Sequence, residues 1–147
     1  MQIDHDGFVQ AVGDLLASWH LPHATGRIYG QLLLEPAPTS LGQLGTALGL
    51  SKGAVSMAVR ELSSWGLART SSQPGSRRLL VEATGNLETL IGASQERSRL
   101  LVQAMRGSTH LAASPVAAER LRDVSDLLDG FISAGTESLG RPHRVAG

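Results

Sequence analysis

Apolar residues along the chain fall first at the 3.6-residue period of a helix. Phe8, Val12, Leu15, Leu16 and Trp19 recur at spacings of three and four, and Pro22 closes the segment. A second helix is predicted over about Ala24–Leu34, with Ile28, Leu32 and Leu33 on one side and Pro36 and Pro38 as its stop. A third, short helix spans about Ser40–Leu48, striped by Leu41, Leu44, Ala47 and Leu48, and Gly49 is its C-terminal cap signal. Ser51 sits where the N-cap of a fourth helix is wanted. Ala54 takes the place of the Glu or Gln of a reciprocal capping box. That helix runs to about Ser64 and ends at Gly66. Val55, Val59 and Leu62 form its buried edge, and Lys52, Ser56, Met57 and Arg60 lie on the opposite edge.

The period then changes. Leu67–Ser72 and Arg77–Glu82 are short extended runs around Gln73-Pro74-Gly75-Ser76, which predicts a β-hairpin. From Gly85 the helical period returns, with Leu87, Leu90, Ile91, Leu101 and Met105 marking one long helix. His110–Ser114 reads as a break before Pro115, a good first-turn residue. The last helix is the most regular: Ala117, Leu121, Val124, Leu128 and Phe131 are spaced four, three, four and three. The expected fold is therefore mainly α with a small β-hairpin wing. Residues 1–21 form an N-terminal dimerisation helix, 22–84 a winged helix-turn-helix, 85–140 C-terminal dimerisation helices and 141–147 a loose tail.

Composition narrows the function. The chain has 147 residues, and no cysteine, so disulfides, thiolate zinc sites and thiol redox chemistry are excluded. No apolar run is long enough to span a membrane, and the N-terminus, with Asp4, His5 and Asp6 and no basic region, is unlike a signal peptide. A cytoplasmic protein is expected. There is no Gly-rich phosphate loop, nucleophile elbow or catalytic carboxylate pair, so an enzyme is not expected. Leu21-Pro22 breaks any helix between His20 and His23, and these histidines read as surface residues; no metal or other cofactor is expected.

Net charge is zero, but its distribution is uneven. Residues 1–22 carry −3, whereas 23–81 carry +4 from Arg27, Lys52, Arg60, Arg69, Arg77 and Arg78 against Glu35 and Glu61. A local patch of that sign suits a polyanion, and the neutral total argues against a purely electrostatic binder. Three helices, a hairpin and two more helices is the order of a helix-turn-helix followed by a wing. In such a unit the second helix offers one face to the core and another to a major groove about 12 Å wide. The slim edge of Ser51, Lys52, Gly53, Ser56, Met57 and Arg60 suits the groove, and Arg77 and Arg78 of the hairpin suit the backbone or minor groove. Arg69 is evenly balanced between a phosphate contact and a surface residue, and Arg27 reads as intramolecular.

Residues 22–82 resemble the winged helix of the MarR superfamily, in particular its GbsR-type branch. The resemblance is carried by Pro22–Gly30, Leu50–Leu62, Trp65–Leu67, and Pro74-Gly75 with Arg77-Arg78. It implies a homodimeric transcriptional regulator, a repressor reading a pseudo-palindromic operator, whose affinity for double-stranded DNA responds to a small molecule. Wings of that superfamily often hold an acid beside the tip arginine, whereas here no acid is nearby before Glu82. For the dimer, Phe8, Val12 and Leu15 of the first helix and Leu121, Val124, Leu128 and Phe131 of the last offer apolar stripes beyond what the winged core can cover. Trp19 is the candidate ligand residue, and Trp65 reads as core. The competing expectation is a winged-helix protein-interaction module without DNA binding, which would replace the cations at Lys52, Arg60, Arg77 and Arg78 by acids or apolar groups.

Overall fold

The computed structural model describes residues 2–85 and 87–140; the predicted loose tail lies outside them. The chain divides into two compact units, residues 1–89 and 90–147. The first begins with α1 (His5–Ser18), capped by Asp4, whose carboxylate accepts from the Gly7 amide at 2.7 Å. Then come α2 (His23–Leu34), β1 (Thr39–Ser40), α3 (Leu41–Leu48), α4 (Lys52–Ser64), β2 (Ala68–Ser72) and β3 (Leu79–Ala83). The fold is mainly helical with a small antiparallel sheet, as expected. The sheet has three strands in the order β1-β3-β2, so the predicted hairpin gains a third member. Ser40 serves twice: it pairs with Leu80 at the end of β1, and its hydroxyl accepts from the Gln43 amide at 3.2 Å to cap α3. The Gln43 side chain accepts in return from the Ser40 amide at 3.0 Å, completing a reciprocal capping box.

The core of this unit is aliphatic. Leu16, Ile28, Leu44, Val55, Leu62, Leu67 and Val81 are fully buried, each worth roughly 1.5–3 kcal/mol. The face that α1 buries is Val9, Gly13 and Leu16. Phe8, Val12 and Trp19 are half-buried, and Leu15 is exposed. The predicted stripe was thus displaced, because glycine at the centre of the buried face carries no hydrophobic signal. That glycine has a steric role. A methyl group on Gly26 of α2 would stand 2.7 Å from the Gly13 Cα and 2.9 Å from the Val12 carbonyl oxygen. A methyl on Gly30, one turn on, would meet Val12 Cβ at 3.1 Å. The two helices therefore touch backbone to backbone, and His23 Nε2 pairs with Asp14 across the same crossing at 2.9 Å.

The second unit contains most of α5 (Leu87–Arg106), a 3-10 turn at Thr109–Leu111 that overlaps the start of the predicted break, and α6 (Pro115–Leu139). Ser114 caps α6 by accepting from the Ala117 amide at 3.1 Å, and Pro115 takes the first turn. Arg106 ties the two helices together by donating to Asp126 at 2.7 Å and Asp129 at 3.3 Å. Gly135 of α6 leaves room for the Gln95 side chain, whose amide nitrogen lies 2.5 Å from where a Cβ would sit. Along α6 only Ser125 and Ile132 are buried, while Val124, Leu127, Leu128 and Phe131 are exposed.

Gly26→Ala should destabilise the protein by about 1–3 kcal/mol, because the added methyl meets backbone that cannot move aside cheaply. Gly42→Ala, at a helical position with nothing within 4 Å, should be neutral or stabilising. Urea unfolding midpoints compare the two, and equal stability of Gly26→Ala and wild type would contradict the close crossing.

Candidate nucleic-acid interface

The helix-turn-helix consists of α3 and α4. Gly49 ends α3 in the left-handed region, at φ 66°, and the Leu50 amide donates back to the Gly45 carbonyl at 3.0 Å. A side chain on Gly45 would meet the Leu50 carbonyl at 2.9 Å, so the tightness of the turn requires glycine there as well. Ser51 caps α4 by accepting from the Ala54 amide at 3.1 Å. Val55, Ala58, Val59 and Leu62 are buried, as the expected inner edge requires. On the opposite edge Ser51, Lys52, Gly53 and Arg60 are exposed, Ser56 is half-buried, and Met57 is 71% exposed. Among the described residues nothing lies within 4 Å of where a Cβ on Gly53 would sit, so the first turn of α4 is open at this position.

Arg27 sets where this motif sits. Its guanidinium donates from Nη2 to the Leu48 carbonyl at 3.0 Å, joining α2 to the last turn of α3. The intramolecular role expected for Arg27 is the one observed. Its Nε is buried without a partner among the described residues, so the Nη2 contact with Leu48 offsets only part of the cost of burying the guanidinium.

The wing is the β2–β3 hairpin. Arg69 lies opposite Glu82 and donates to its carboxylate from Nε at 3.1 Å and Nη2 at 2.5 Å. Glu82 thus holds a strand arginine, and among the described residues no acid pairs with the tip arginines Arg77 and Arg78. The β-turn spans Gln73–Ser76 with Pro74-Gly75 at its centre, as predicted, but Arg77 and Arg78 lengthen the loop on the β3 side, so the strand register is offset from that of a symmetric hairpin and sets Arg69 opposite Glu82. At the tip, Gly75 has φ 73° and the Ser76 amide donates to the Gln73 carbonyl at 3.1 Å. Arg77 and Arg78 fall in the loop before β3 rather than on the strand predicted from Arg77. The Arg78 amide donates to the Ser76 hydroxyl at 3.1 Å, while both guanidinium groups are left to the outside.

Lys52, Arg77 and Arg78 line a single cleft of about 690 Å³ between α3, the start of α4 and the foot of the wing. Arg60 and Arg69 do not line it. Among the described residues no carboxylate pairs with Lys52, Arg60, Arg77 or Arg78. Trp19 ends α1, half-buried, and is not part of this cleft. Residues 30–79, from the end of α2 to the start of β3, match the MarR family model. The whole chain is similar to the HTH-type transcriptional regulator MmpR5 of Mycobacterium tuberculosis, with 31% identity over 144 residues covering 91% of this chain and 84% of the relative. The chain belongs to the MarR family.

This MarR-family protein is a winged-helix, DNA-binding transcriptional regulator and not an enzyme. It is also similar to a transcriptional regulator of known crystal structure, with a TM-score of 0.55, 28% identity, and coverage of 95% of this chain and 97% of that one. A possible transcriptional regulator from Methanosarcina mazei shares the fold, with a TM-score of 0.54 and 17% identity over 63% of this chain and 83% of that one. Among the described residues no helix is long and apolar enough to cross a membrane.

Arg27→Met should cost about 1–3 kcal/mol, because it leaves the Leu48 carbonyl without its partner. Glu82→Gln should cost less than about 1 kcal/mol, since its pair with Arg69 is largely exposed. Chemical denaturation checks the order, and a larger loss in Glu82→Gln would reverse the assigned importance of the two contacts.

Proposed function

We propose that this regulator binds as a homodimer to a near-palindromic operator and represses transcription from it, and that it falls in the GbsR-type branch of the family. The branch rests on the likeness of Leu50–Leu62 and the neighbouring stretches. The observation that carries the DNA reading is the bare, unpaired cationic edge of α4 beside the unpaired cations of the wing. Ser51, Lys52, Gly53, Ser56, Met57 and Arg60 form the groove-entering edge. Arg77 and Arg78 take the phosphate backbone or minor groove. Arg69 is a weaker candidate, because Glu82 already neutralises it. The cytoplasm is its proposed location, and a small-molecule effector, with Trp19 as the residue offered for it, remains part of the proposal.

Dimerisation is supported by the apolar surface of α6. Phe131 is 76% exposed and Leu127 74%, and Val124 and Leu128 continue the same stripe. Monomeric proteins rarely leave such a run uncovered. Leu15 is exposed on α1, and Phe8, Val12 and Leu121 are half-buried, so all seven residues assigned to the dimer retain surface to bury. A single winged helix buries only about 600–1,000 Å² on DNA, and two copies double the footprint.

Selection from a random DNA library should return an inverted repeat with half-site centres roughly one helical turn, about 34–36 Å, apart. Arg60→Ala should then lose about 1–3 kcal/mol on the selected site relative to random DNA. Equal losses on both would make Arg60 a phosphate contact, and a library that yields no enriched site would remove the operator reading.

Phe131→Asp gives the second test. The side chain is too exposed in the single chain for its loss to unfold the protein. Sedimentation at micromolar concentration should show wild type as a dimer and Phe131→Asp as a folded 15.4 kDa monomer. A wild-type monomer that still binds its selected site tightly would contradict the dimer.

A further inference from the structure

Basic side chains differ in reactivity, and this chain divides them unevenly. It carries 13 lysines and arginines, and Lys52 is the only lysine among them. A guanidinium stays protonated and does not attack acyl groups, whereas the neutral form of a lysine amine is a nucleophile. Lys52 therefore holds the one side-chain amine that an acyl donor can modify. The side chain is accessible: Lys52 is exposed at the first position of α4, and among the described residues no carboxylate pairs with it. Nor does its charge serve the helix. A cation in a first turn opposes the helix dipole, and the first turn of α4 holds no acid to offset it.

A second observation supplies the kind of donor. Arg77 and Arg78 line the same cleft as Lys52, and neither has a carboxylate partner among the described residues. Unpaired guanidinium groups bind phosphate through charge-assisted hydrogen bonds. The donor that fits this setting carries phosphate as its leaving group.

We propose that Lys52 is an acylation site served by acyl phosphates, and that its acylation weakens DNA binding. Arg77 and Arg78 hold the phosphate while Nζ of Lys52 attacks the carbonyl carbon. The N–C bond forms as the C–O bond to phosphate breaks. The electron pair leaves with the phosphate, and a proton of Nζ passes to it or to water; no oxidant or reductant is needed. The product is a neutral amide, so each copy loses one cation at the start of α4. The loss of DNA binding rests on the reading of Lys52 as a DNA contact; the acylation itself does not.

The test treats the full chain with acetyl phosphate, or with acetic anhydride as a donor without phosphate, and maps the product by peptide mass spectrometry. Both should acetylate Lys52. In the Arg77→Gln/Arg78→Gln double variant the rate at Lys52 should fall about tenfold with acetyl phosphate and stay unchanged with the anhydride. In gel shifts on the selected site, acetylated wild type should bind roughly tenfold or more weakly, with a salt slope smaller by about two, one cation from each copy. Its melting temperature should not fall. Lys52→Arg keeps the charge without the amine, so its own DNA affinity should be the same before and after treatment. Failure of acetyl phosphate to modify Lys52 overturns the site. Equal rates in wild type and the double variant, or equal slowing with both donors, overturn the two arginines as holders of the phosphate. A treated Lys52→Arg that weakens as wild type does, acetylated wild type with unchanged affinity, or a weakening matched by a lower melting temperature overturns the control of DNA binding. A chain that binds no DNA before treatment counts against the DNA reading, and the mass spectrometry still decides the acylation.

Discussion

The winged-helix unit depends on one constraint: α4 must bury a full edge and keep the opposite edge bare. Val55, Ala58, Val59 and Leu62 meet the first half, and the exposed run from Lys52 to Arg60 meets the second. The two sets of residues barely overlap in their energetics. Burial of the aliphatic side chains stabilises the unit by roughly 1.5–3 kcal/mol each, whereas exposed cations contribute within about 1 kcal/mol. The outer edge is therefore free to be chosen for its partner. Its position is fixed from behind, where Arg27 joins α2 to the end of α3, and α2 is seated on α1 by the contact of Gly13 with Gly26.

Charge acts locally in this protein. The chain is neutral as a whole, but fields in physiological salt decay over about 8 Å, so an unpaired cluster counts for more than the total. The wing makes the distinction within a few residues. Glu82 holds Arg69 on the strands, while Arg77 and Arg78, past the tip, face the same cleft as Lys52 with no acid between them.

Much of this was legible in the sequence. The helices of the motif follow from the spacing of Ile28, Leu32, Leu44, Val55 and Leu62, and the bare edge of α4 follows from the same period. The missing parts have physical reasons. Thr39–Ser40 is too short to show any alternation, so β1 was invisible until β3 lay beside it. The buried face of α1 is centred on a glycine, which is selected for closeness and has no hydrophobic signature. The partner of Arg69 required the register of the wing, which the extra loop residues Arg77 and Arg78 offset although the turn itself is centred on Pro74-Gly75. The capping box of α3 is legible in Ser40 and Gln43, three residues apart. The cleft draws on α3, α4 and the wing, and no local pattern could have joined them.

The central claim is that an overall neutral chain docks on DNA through a small, unpaired cationic surface on each of two copies. The salt dependence of specific binding measures that surface directly. With Lys52, Arg77 and Arg78 on phosphates in each copy, the slope of the logarithm of the binding constant against the logarithm of salt concentration should be roughly −5. A slope near zero, with tight binding to the selected site, would contradict docking through these cations.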